Sequence, residues 1–332
     1  MQTESYACYN LNNEERINSS SGGLYPLFAK RVLDDGGLVY AACYNEVLDV
    51  VHRRIDTIED LWASQGSKYV KSSLGTVFQE IIDEISNGKK VLFVGLPCQC
   101  GGLNSLIEET NSDRSRIVLI DFICHGIPGN TAWHAYKNSM KERGKPLISV
   151  NMRDKSTGWT NGNYAWREKT SVGDTIVTPR RQVSFMKGML ANLYLRPSCF
   201  ECAFKGVDRC TDITIGDYWG VWDHLPQMDD NKGTSIVLIH SENGMDLFNA
   251  IKSYIIYMDA DIEKVALRNA CLVESTKYNP KSKKFYKKLF QGEDFIKLVN
   301  NLTKETFPLK IKRVLKKCIN LMKGWFCAKE NT

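Results

Sequence analysis

The stretch RPSCFECAFKGVDRCTDITIGDYWG, residues 196–220, joins a cysteine loop to a strand-like run. Cys199 and Cys202 stand three positions apart, a spacing that lets two sulfurs bind one metal ion or one edge of a cluster. Such a pair is half of a ligand set. The best candidates for the other half are Cys98, in VLFVGLPCQC, and Cys124, in RIVLIDFICHG, because each ends an apolar run. We therefore predict that four thiolates from three segments meet.

Two alternatives to this prediction remain open. Zinc also takes four thiolates, in tetrahedral array, so Cys199 and Cys202 fit a structural zinc site as well. Free cysteine is often buried as a small apolar residue, which is the alternative for Cys98 and Cys124. Cys100 and Cys210 are reserve ligands. The other five cysteines are expected to be ordinary thiols.

Composition indicates a globular protein. The chain has 332 residues, of which 43% are hydrophobic and 25% charged, enough for one large core or two modest ones. No run approaches the roughly 18 apolar residues of a membrane span, and the polar start MQTESYACYNLNNEE does not resemble a secretory signal. We expect a cytoplasmic protein. Its 11 cysteines, odd in number, are then reduced thiols rather than a disulfide framework.

Positive charge is concentrated in the last part of the sequence. Residues 264–332 carry 17 Lys and Arg against 5 Asp and Glu, a net charge of +12, whereas residues 1–263 carry 27 against 33. Within this tail, residues 307–326 place apolar side chains near one helical face with lysines between them. A helix packed on the body is the plain interpretation. Peripheral contact with a membrane surface and docking of an acidic partner are the alternatives.

Alternating strand and helix patterns predict an α+β fold of mixed α/β type, with mixed sheets covered by helices in two lobes. After a polar lead, LYPLFAKRVLDD is predicted as a helix and LVYAACY with LDVVHRRI as a hairpin. Buried strands are predicted in KKVLFVG, RIVLIDFIC, DITIGDYW and TSIVLIHS. We divide the chain into an amino-terminal lobe (1–87), a second domain (88–256) and a basic helical tail (257–332).

The motifs SSSGG, GSKYVKS, VLFVGLPCQCGGL, DFICHGIP, MRDKSTGW, RPSCFECAFK, TDITIGDYWG and KGTSIVLIHSENG follow one another between residues 19 and 244. In this order they resemble the coenzyme F420 hydrogenase/dehydrogenase beta-subunit family. The resemblance implies an iron–sulfur flavoprotein that passes electrons between a 4Fe-4S cluster, FAD and a reducible substrate. It leaves that substrate open, since relatives reduce different molecules and some shorter bacterial members accompany polysaccharide biosynthesis.

The resemblance also implies roles for individual residues. Cys98, Cys124, Cys199 and Cys202 match the family's cluster ligands, so the second domain holds cluster and flavin and the first lobe contacts flavin. Independently of the resemblance, His125, beside Cys124, is the candidate proton donor, because flavin reduction needs protons and histidine titrates near neutrality; a hydrogen-bonded core histidine is the alternative. Flavin contacts are assigned to the following residues: Ser20, Ser21, Gly22, Gly23, Lys68, Tyr69, Gly95, Arg153, Lys155 and Asp217.

These flavin contacts have simpler alternatives. The serine–glycine run SSSGG also fits an ordinary helix cap. Lys68 and Tyr69 fit a solvated lysine and a tyrosine at the edge of a core. Arg153 and Lys155 fit salt bridges, and Asp217 fits a routine turn after a strand.

Relatives often carry an amino-terminal ferredoxin unit, and no such motif precedes Tyr6. We therefore expect a separate ferredoxin or another electron donor, which the basic tail would attract electrostatically. The substrate is expected to be a small molecule or a glycan precursor. Nucleic acid is not expected as a partner, because the basic residues lack interleaved aromatic side chains. The rival function is a non-redox structural or assembly protein of a glycan pathway, with zinc or no metal at the cysteine loop.

Overall fold

The computed structural model describes residues 2–304, and its largest element is an eight-stranded mixed sheet. The described strands are β1 (Glu4–Asn10), β2 (Leu38–Tyr44), β3 (Val50–Ile55), β4 (Val91–Val94), β5 (Ile117–Phe122), β6 (Leu147–Asp154), β7 (Ala165–Thr170), β8 (Thr175–Pro179), β9 (Ile213–Asp217), β10 (Ser235–Ile239) and β11 (Ile255–Asp259).

Helices cover the sheet, which confirms the predicted mixed α/β class. The described α-helices are α1 (Asn13–Asn18), α2 (Leu24–Asp34), α3 (Ile58–Ser64), α4 (Val77–Ser86), α5 (Pro97–Glu109), α6 (Asn130–Glu142), α7 (Ser184–Leu190), α8 (Val221–His224), α9 (Glu242–Ile251), α10 (Ile262–Arg268), α11 (Ala270–Val273), α12 (Lys281–Phe290) and α13 (Phe295–Leu302).

The large sheet has the strand order β11-β1-β10-β9-β5-β4-β2-β3. Its centre, β9-β5-β4-β2, is parallel, and the strands on either side of that block pair antiparallel. The four residues of β4 are all buried, as expected of a parallel strand covered on both faces. Because the four central strands run the same way, their carboxyl ends lie at one edge of the sheet. In open α/β sheets that edge is where ligands bind.

A smaller antiparallel sheet of β6, β7 and β8 carries its own apolar core. Trp133 and Trp166 are fully buried in that core and make an edge-on aromatic contact. Phe285 of α12 and Phe295 of α13 belong to the same core. The described first part of the basic tail is therefore packed against the body.

The division into residues 1–87, 88–256 and 257–332 stays a prediction. The large sheet itself crosses residue 88, since β2 pairs in parallel with β4. Strand β11, which begins before residue 257, completes the other edge of the same sheet by pairing with β1.

Strand β1 and helix α5 are among the elements that the sequence analysis missed. The polar lead contains β1, whose Ala7 and Cys8 are fully buried because β10 and β11 pair with it on either side. The segment after β4 forms helix α5, which begins at Pro97, a favourable first helical residue. Gly101 and Gly102 inside this helix concealed it, because glycine is a poor helix former.

The helix predicted over residues 307–326 lies outside the described residues. Among the described residues, no helix has both the length and the apolar composition needed to cross a membrane.

The run before α2 packs tightly on two strands. A Cβ atom on Gly22 would lie 2.4 Å from the Cys8 carbonyl oxygen and 2.8 Å from the Ser235 backbone nitrogen. We predict that Gly22→Ala lowers the free energy of unfolding by about 1–3 kcal/mol, because backbone atoms cannot move aside. Denaturant titration measures this change.

The matched control is Gly129→Ala, since a Cβ atom there meets nothing within 4 Å. It should change the free energy of unfolding by less than about 1 kcal/mol. Equal effects of the two substitutions would contradict the packing argument.

Candidate functional site

A cavity of about 250 Å³ lies at the carboxyl ends of the parallel strands. Gly95 follows β4, Cys124 and His125 follow β5, and Asp217 ends β9, and all four residues line the cavity. The strand directions therefore bring together residues that are more than 100 positions apart in the sequence. A cavity of this size is near the lower limit of roughly 300 Å³ for small-molecule sites, so it suits one ring system of a larger ligand.

The serine loop, residues 19–23, forms one wall. Ser20 and Ser21 line the cavity, as does Gly23, which precedes the first residue of α2. The Ser20 hydroxyl accepts a hydrogen bond from the Ser67 backbone N–H at 2.7 Å. The Ser21 hydroxyl donates to the Thr234 carbonyl oxygen at 2.9 Å. Both predicted serines thus fix the loop through their side chains, and the start of α2 faces the cavity.

An ion pair between Arg153 and Asp217 closes another side. The guanidinium makes two hydrogen bonds to the carboxylate, at 2.7 and 2.8 Å. It also donates to the Ser20 carbonyl oxygen at 2.7 Å and to the Tyr69 hydroxyl at 3.1 Å. Only 4% of the Arg153 side chain and 16% of the Asp217 side chain are exposed. The carboxylate holds the pKa of Arg153 well above its usual range despite burial. One cation therefore joins three segments of the cavity wall.

The two predicted lysines differ in position. Lys68 lines the cavity, but its ammonium donates to the carbonyl oxygens of Ser64, Gln65 and Gly66, and burial lowers its pKa to about 8. Lys155 lies outside the lining.

The Lys155 ammonium donates to carbonyl oxygens of Arg16, Ser21 and Lys232, and burial lowers its pKa to about 7. An ammonium has three donors, so both lysines use theirs on the backbone.

His52 is a cavity residue that the sequence analysis missed. Its ring stacks on Phe93, and its Nε2 donates to the Val94 carbonyl oxygen at 3.0 Å. Burial lowers the pKa of His52 to about 4, so the ring is neutral at neutral pH. The sequence signal was its position in VVHRRI. His52 lies two residues after the buried Val50, so both side chains lie on the same face of β3.

Two buried polar atoms of lining residues have no partner among the described residues: Nδ1 of His52 and Nε of Arg153. The first accepts a hydrogen bond and the second donates one. Unpaired buried groups are costly, and a bound ligand would satisfy them. An isoalloxazine ring has both an N–H donor and carbonyl acceptors on one edge. The wall therefore fits the flavin that the sequence predicts.

His125 is oriented by both of its ring nitrogens. The Nε2 atom donates to Asn192 Oδ1 at 2.9 Å, and Nδ1 lies 3.4 Å from Cys271 Sγ. Burial lowers the pKa of His125, which favours the neutral ring. A neutral, fixed imidazole thus lines the same cavity as Cys124.

The four predicted ligand cysteines are close enough to influence one another electrostatically. Partial removal from water raises the pKa of Cys98, Arg196 opposes the rise, and Cys199 and Cys202 add to it.

Burial raises the pKa of Cys124 to about 12, with Lys205 opposing and Cys199 and Cys98 adding to the rise. Three separate chain segments therefore bring their thiols to one region. Arg196 and Lys205 are the nearby cations that would favour thiolates there.

Two glycines allow this convergence. A Cβ atom on Gly126 would lie 3.3 Å from Cβ of Cys199, so the loop after β5 packs directly on the Cys-x-x-Cys loop. A Cβ atom on Gly101 would lie 2.2 Å from Cε1 of Phe204, whose ring occupies that space. Cys98 lies one turn before Gly101 on the same face of α5. Phe204 therefore anchors the cysteine loop on the face of α5 that carries Cys98.

Within residues 2–304, no three His, Cys, Asp or Glu side chains are arranged to hold a single metal ion.

Some predicted residues lie away from the cavity. Gly22, Lys155, Cys98, Cys199 and Cys202 are outside its lining. The cysteines belong to the neighbouring thiol region, Gly22 lies within the serine loop and donates to Ser235 Oγ, and Lys155 donates to the Ser21 carbonyl oxygen of the same loop. The reserve ligand Cys100 is fully buried in an apolar core, and Cys210 is exposed.

Comparison with known proteins gives a family and a fold. The family model of the coenzyme F420 hydrogenase/dehydrogenase beta subunit, C terminus, matches residues 88–264, just over half of the chain. The structure resembles a chain of the F420-reducing [NiFe] hydrogenase complex from Methanosarcina barkeri, solved as a xenon derivative, with a TM-score of 0.53 and 14% identity. The match covers 87% of this chain and 93% of that one. No curated protein matches the sequence.

We predict that Asp217→Asn lowers the free energy of unfolding by about 3–5 kcal/mol, because it leaves the buried Arg153 charge without its partner. Denaturant unfolding at neutral pH measures the change. The control is Asp223→Asn, which removes the partner of Arg268 in an exposed pair and should change the free energy by less than about 1 kcal/mol. Similar values for both variants would contradict a stabilising role for the buried pair.

A second prediction concerns the anchor of the cysteine loop. Gly101→Ala should displace Phe204 and lower the free energy of unfolding by about 1–3 kcal/mol. At Gly102 a Cβ atom would meet Phe78 at an ordinary 3.6 Å, so Gly102→Ala should be neutral or stabilise the helix. Thermal unfolding of both variants distinguishes them, and a Gly101→Ala protein as stable as Gly102→Ala would refute the anchor.

Proposed function

Because the chain belongs to the coenzyme F420 hydrogenase/dehydrogenase beta-subunit family, we propose that it is an iron–sulfur flavoprotein oxidoreductase. It relays electrons between an external donor, such as a ferredoxin, a 4Fe-4S cluster, FAD and a reducible substrate. The proposed substrate is a small molecule or glycan precursor of polysaccharide biosynthesis. Cys98, Cys124, Cys199 and Cys202 are the proposed cluster ligands.

One observation carries the proposal: Cys124 belongs to both parts of the site. It lines the cavity with His52, Arg153 and Asp217, and it also lies within electrostatic range of Cys98 and Cys199. A cluster bound at these thiols and a ring bound in the cavity would share the segment 124–126 as a common wall. Electron transfer between them would then need no intervening group.

The chain's own residues would hold the flavin. His52 offers an acceptor through Nδ1 and Arg153 a donor through Nε. The start of α2 and the serine loop supply backbone N–H groups with a favourable helix dipole, which suits a phosphate. When bound, FAD would supply the exchange between single electrons from a cluster and the electron pair that a substrate takes up.

His125 is the proposed proton donor. Because Nε2 already donates to Asn192 Oδ1, the transferable proton would be one taken up at Nδ1, and the lowered pKa favours its release with return to the neutral ring. Its place in the cavity lining supports this role, because a donor must lie within hydrogen-bond reach of the group that it protonates.

The proposed electron donor is a separate acidic protein. The resembling chain from Methanosarcina barkeri belongs to a hydrogenase complex. We propose an acidic partner for this chain because residues 264–332 carry a net charge of +12, which attracts acidic proteins. Peripheral contact of the same residues with an anionic membrane surface is the second possibility that this charge supports.

Anaerobic reconstitution with iron, sulfide and FAD tests the proposal. We expect the absorption bands of flavin together with a broad iron–sulfur absorption, and about four irons per chain. Serine substitution of Cys98, Cys124, Cys199 or Cys202 should remove most of the iron and leave most of the flavin. Iron analysis and spectra measure both.

Cys210→Ser is the control, because Cys210 lies outside the proposed ligand set and outside the cavity lining. It should keep its iron. Colourless protein that binds stoichiometric zinc would instead support the non-redox alternative, and iron that survives all four substitutions would refute the ligand assignment.

A further inference from the structure

A second cavity lies beside the first and shares Gly66, Ser67 and Lys68 with it. Its volume is about 540 Å³, within the range of roughly 300–1,000 Å³ typical of small-molecule sites. The shared wall separates a ligand in the second cavity from one in the first by a single stretch of chain. The family resemblance assigned no residue to this cavity except Lys68.

Two buried polar atoms in its wall have no hydrogen-bond partner among the described residues: Oη of Tyr44 and Nε2 of Gln65. They come from separate elements, the end of β2 and the residue after α3. The Ser19 hydroxyl donates its proton mainly to the Glu15 carbonyl oxygen at 2.8 Å and lies 3.4 Å from Oε1 of Gln65, and the Gln65 NH₂ group has no partner among the described residues. Two orphan donors in one wall indicate a ligand that offers oxygen acceptors.

An aromatic surface completes the wall. Trp62 of α3 lines this cavity and is 43% exposed, which is unusual for a large apolar side chain. Indole combines a flat apolar face with low conformational freedom, and such side chains anchor ligands that are partly apolar. The axial C–H groups of a sugar ring present such an apolar face.

The charges argue against an anionic ligand. Lys68 is the one cationic side chain among the described lining residues, and three backbone carbonyls already occupy its ammonium. Glu14 adds a carboxylate that accepts hydrogen bonds. Asn151 uses its Oδ1 on the Arg153 backbone N–H at 2.9 Å, so its NH₂ group is left as a donor. Amide donors beside a carboxylate acceptor match hydroxyl groups, which donate and accept.

We propose that the second cavity binds a neutral sugar ring, stacked on Trp62 and hydrogen-bonded by Tyr44 and Gln65. The further step, that the bound sugar ring is part of the substrate that is reduced, rests on the function proposed above. The binding of the sugar itself does not depend on that function. The shared wall at residues 66–68 gives the sugar a position next to the flavin cavity.

Binding is tested on the full-length protein with methyl β-glucopyranoside and N-acetylglucosamine, by saturation-transfer NMR and tryptophan fluorescence. A single ring with a few hydrogen bonds should bind with a Kd on the order of 1 mM. Trp62→Ala and Gln65→Leu should each weaken binding at least tenfold. Tyr254→Ala, which removes a 59% exposed aromatic ring outside the lining, should leave the Kd unchanged.

Three outcomes would overturn the proposal. The first is no saturation transfer from either sugar, and the second is binding that survives both Trp62→Ala and Gln65→Leu. The third is loss of sugar binding once the protein is loaded with FAD, because the second cavity would then hold part of the dinucleotide. Sugar binding that depends on Trp62 in a protein that takes up neither flavin nor iron would sustain this proposal and refute the redox function separately.

Discussion

The buried ion pair between Arg153 and Asp217 is the constraint on which the cavity depends. Arg153 belongs to β6 of the small sheet and Asp217 to β9 of the large sheet, so the pair joins the two sheets. The same guanidinium fixes Ser20 and Tyr69 from two further segments. Burying two charges is unfavourable unless their hydrogen bonds are satisfied. Here residues that line the cavity accept four hydrogen bonds from the guanidinium, which links the stability of the fold to the shape of the cavity.

The parallel strands explain why cavity-lining groups of different kinds lie side by side. Gly95, Cys124 and Asp217 each follow or end a strand of the same parallel block, so one edge of the sheet collects all three. The thiol region is built differently. It depends on close backbone approach at Gly101 and Gly126, which brings a helix start and two loops together. Strand direction positions the cavity, and glycine packing positions the cysteines beside it.

Local patterns were sufficient to predict most elements of the large sheet. Buried runs such as VLFV and SIVLI are apolar throughout, and LYPLFAKRVLD has a clear helical face. The local pattern of apolar residues did not predict β1, because its burial comes from strands that are distant in the sequence. It did not predict α5 either, because the glycines in that helix allow close packing and do not mark a turn.

The same limit applies to the site. Motifs identified Arg153, Asp217 and Ser20 as candidates, but no local pattern shows that they hydrogen-bond to one another. His52 and the second cavity depend on which atoms are left unpaired after folding, a property of the tertiary structure alone.

The pairing of β1 with β10 has a consequence for how the protein is made. Glu4 pairs with Ile239, and Ser21 is fixed by the carbonyl of Thr234. These contacts join residues more than 200 positions apart, and such contacts form late in folding. During synthesis at roughly 5–20 residues per second, the amino-terminal strand waits many seconds for its partner to leave the ribosome. The serine loop takes its place only after translation has passed residue 235, so a ligand that needs this loop would bind only after that part of the chain has been made.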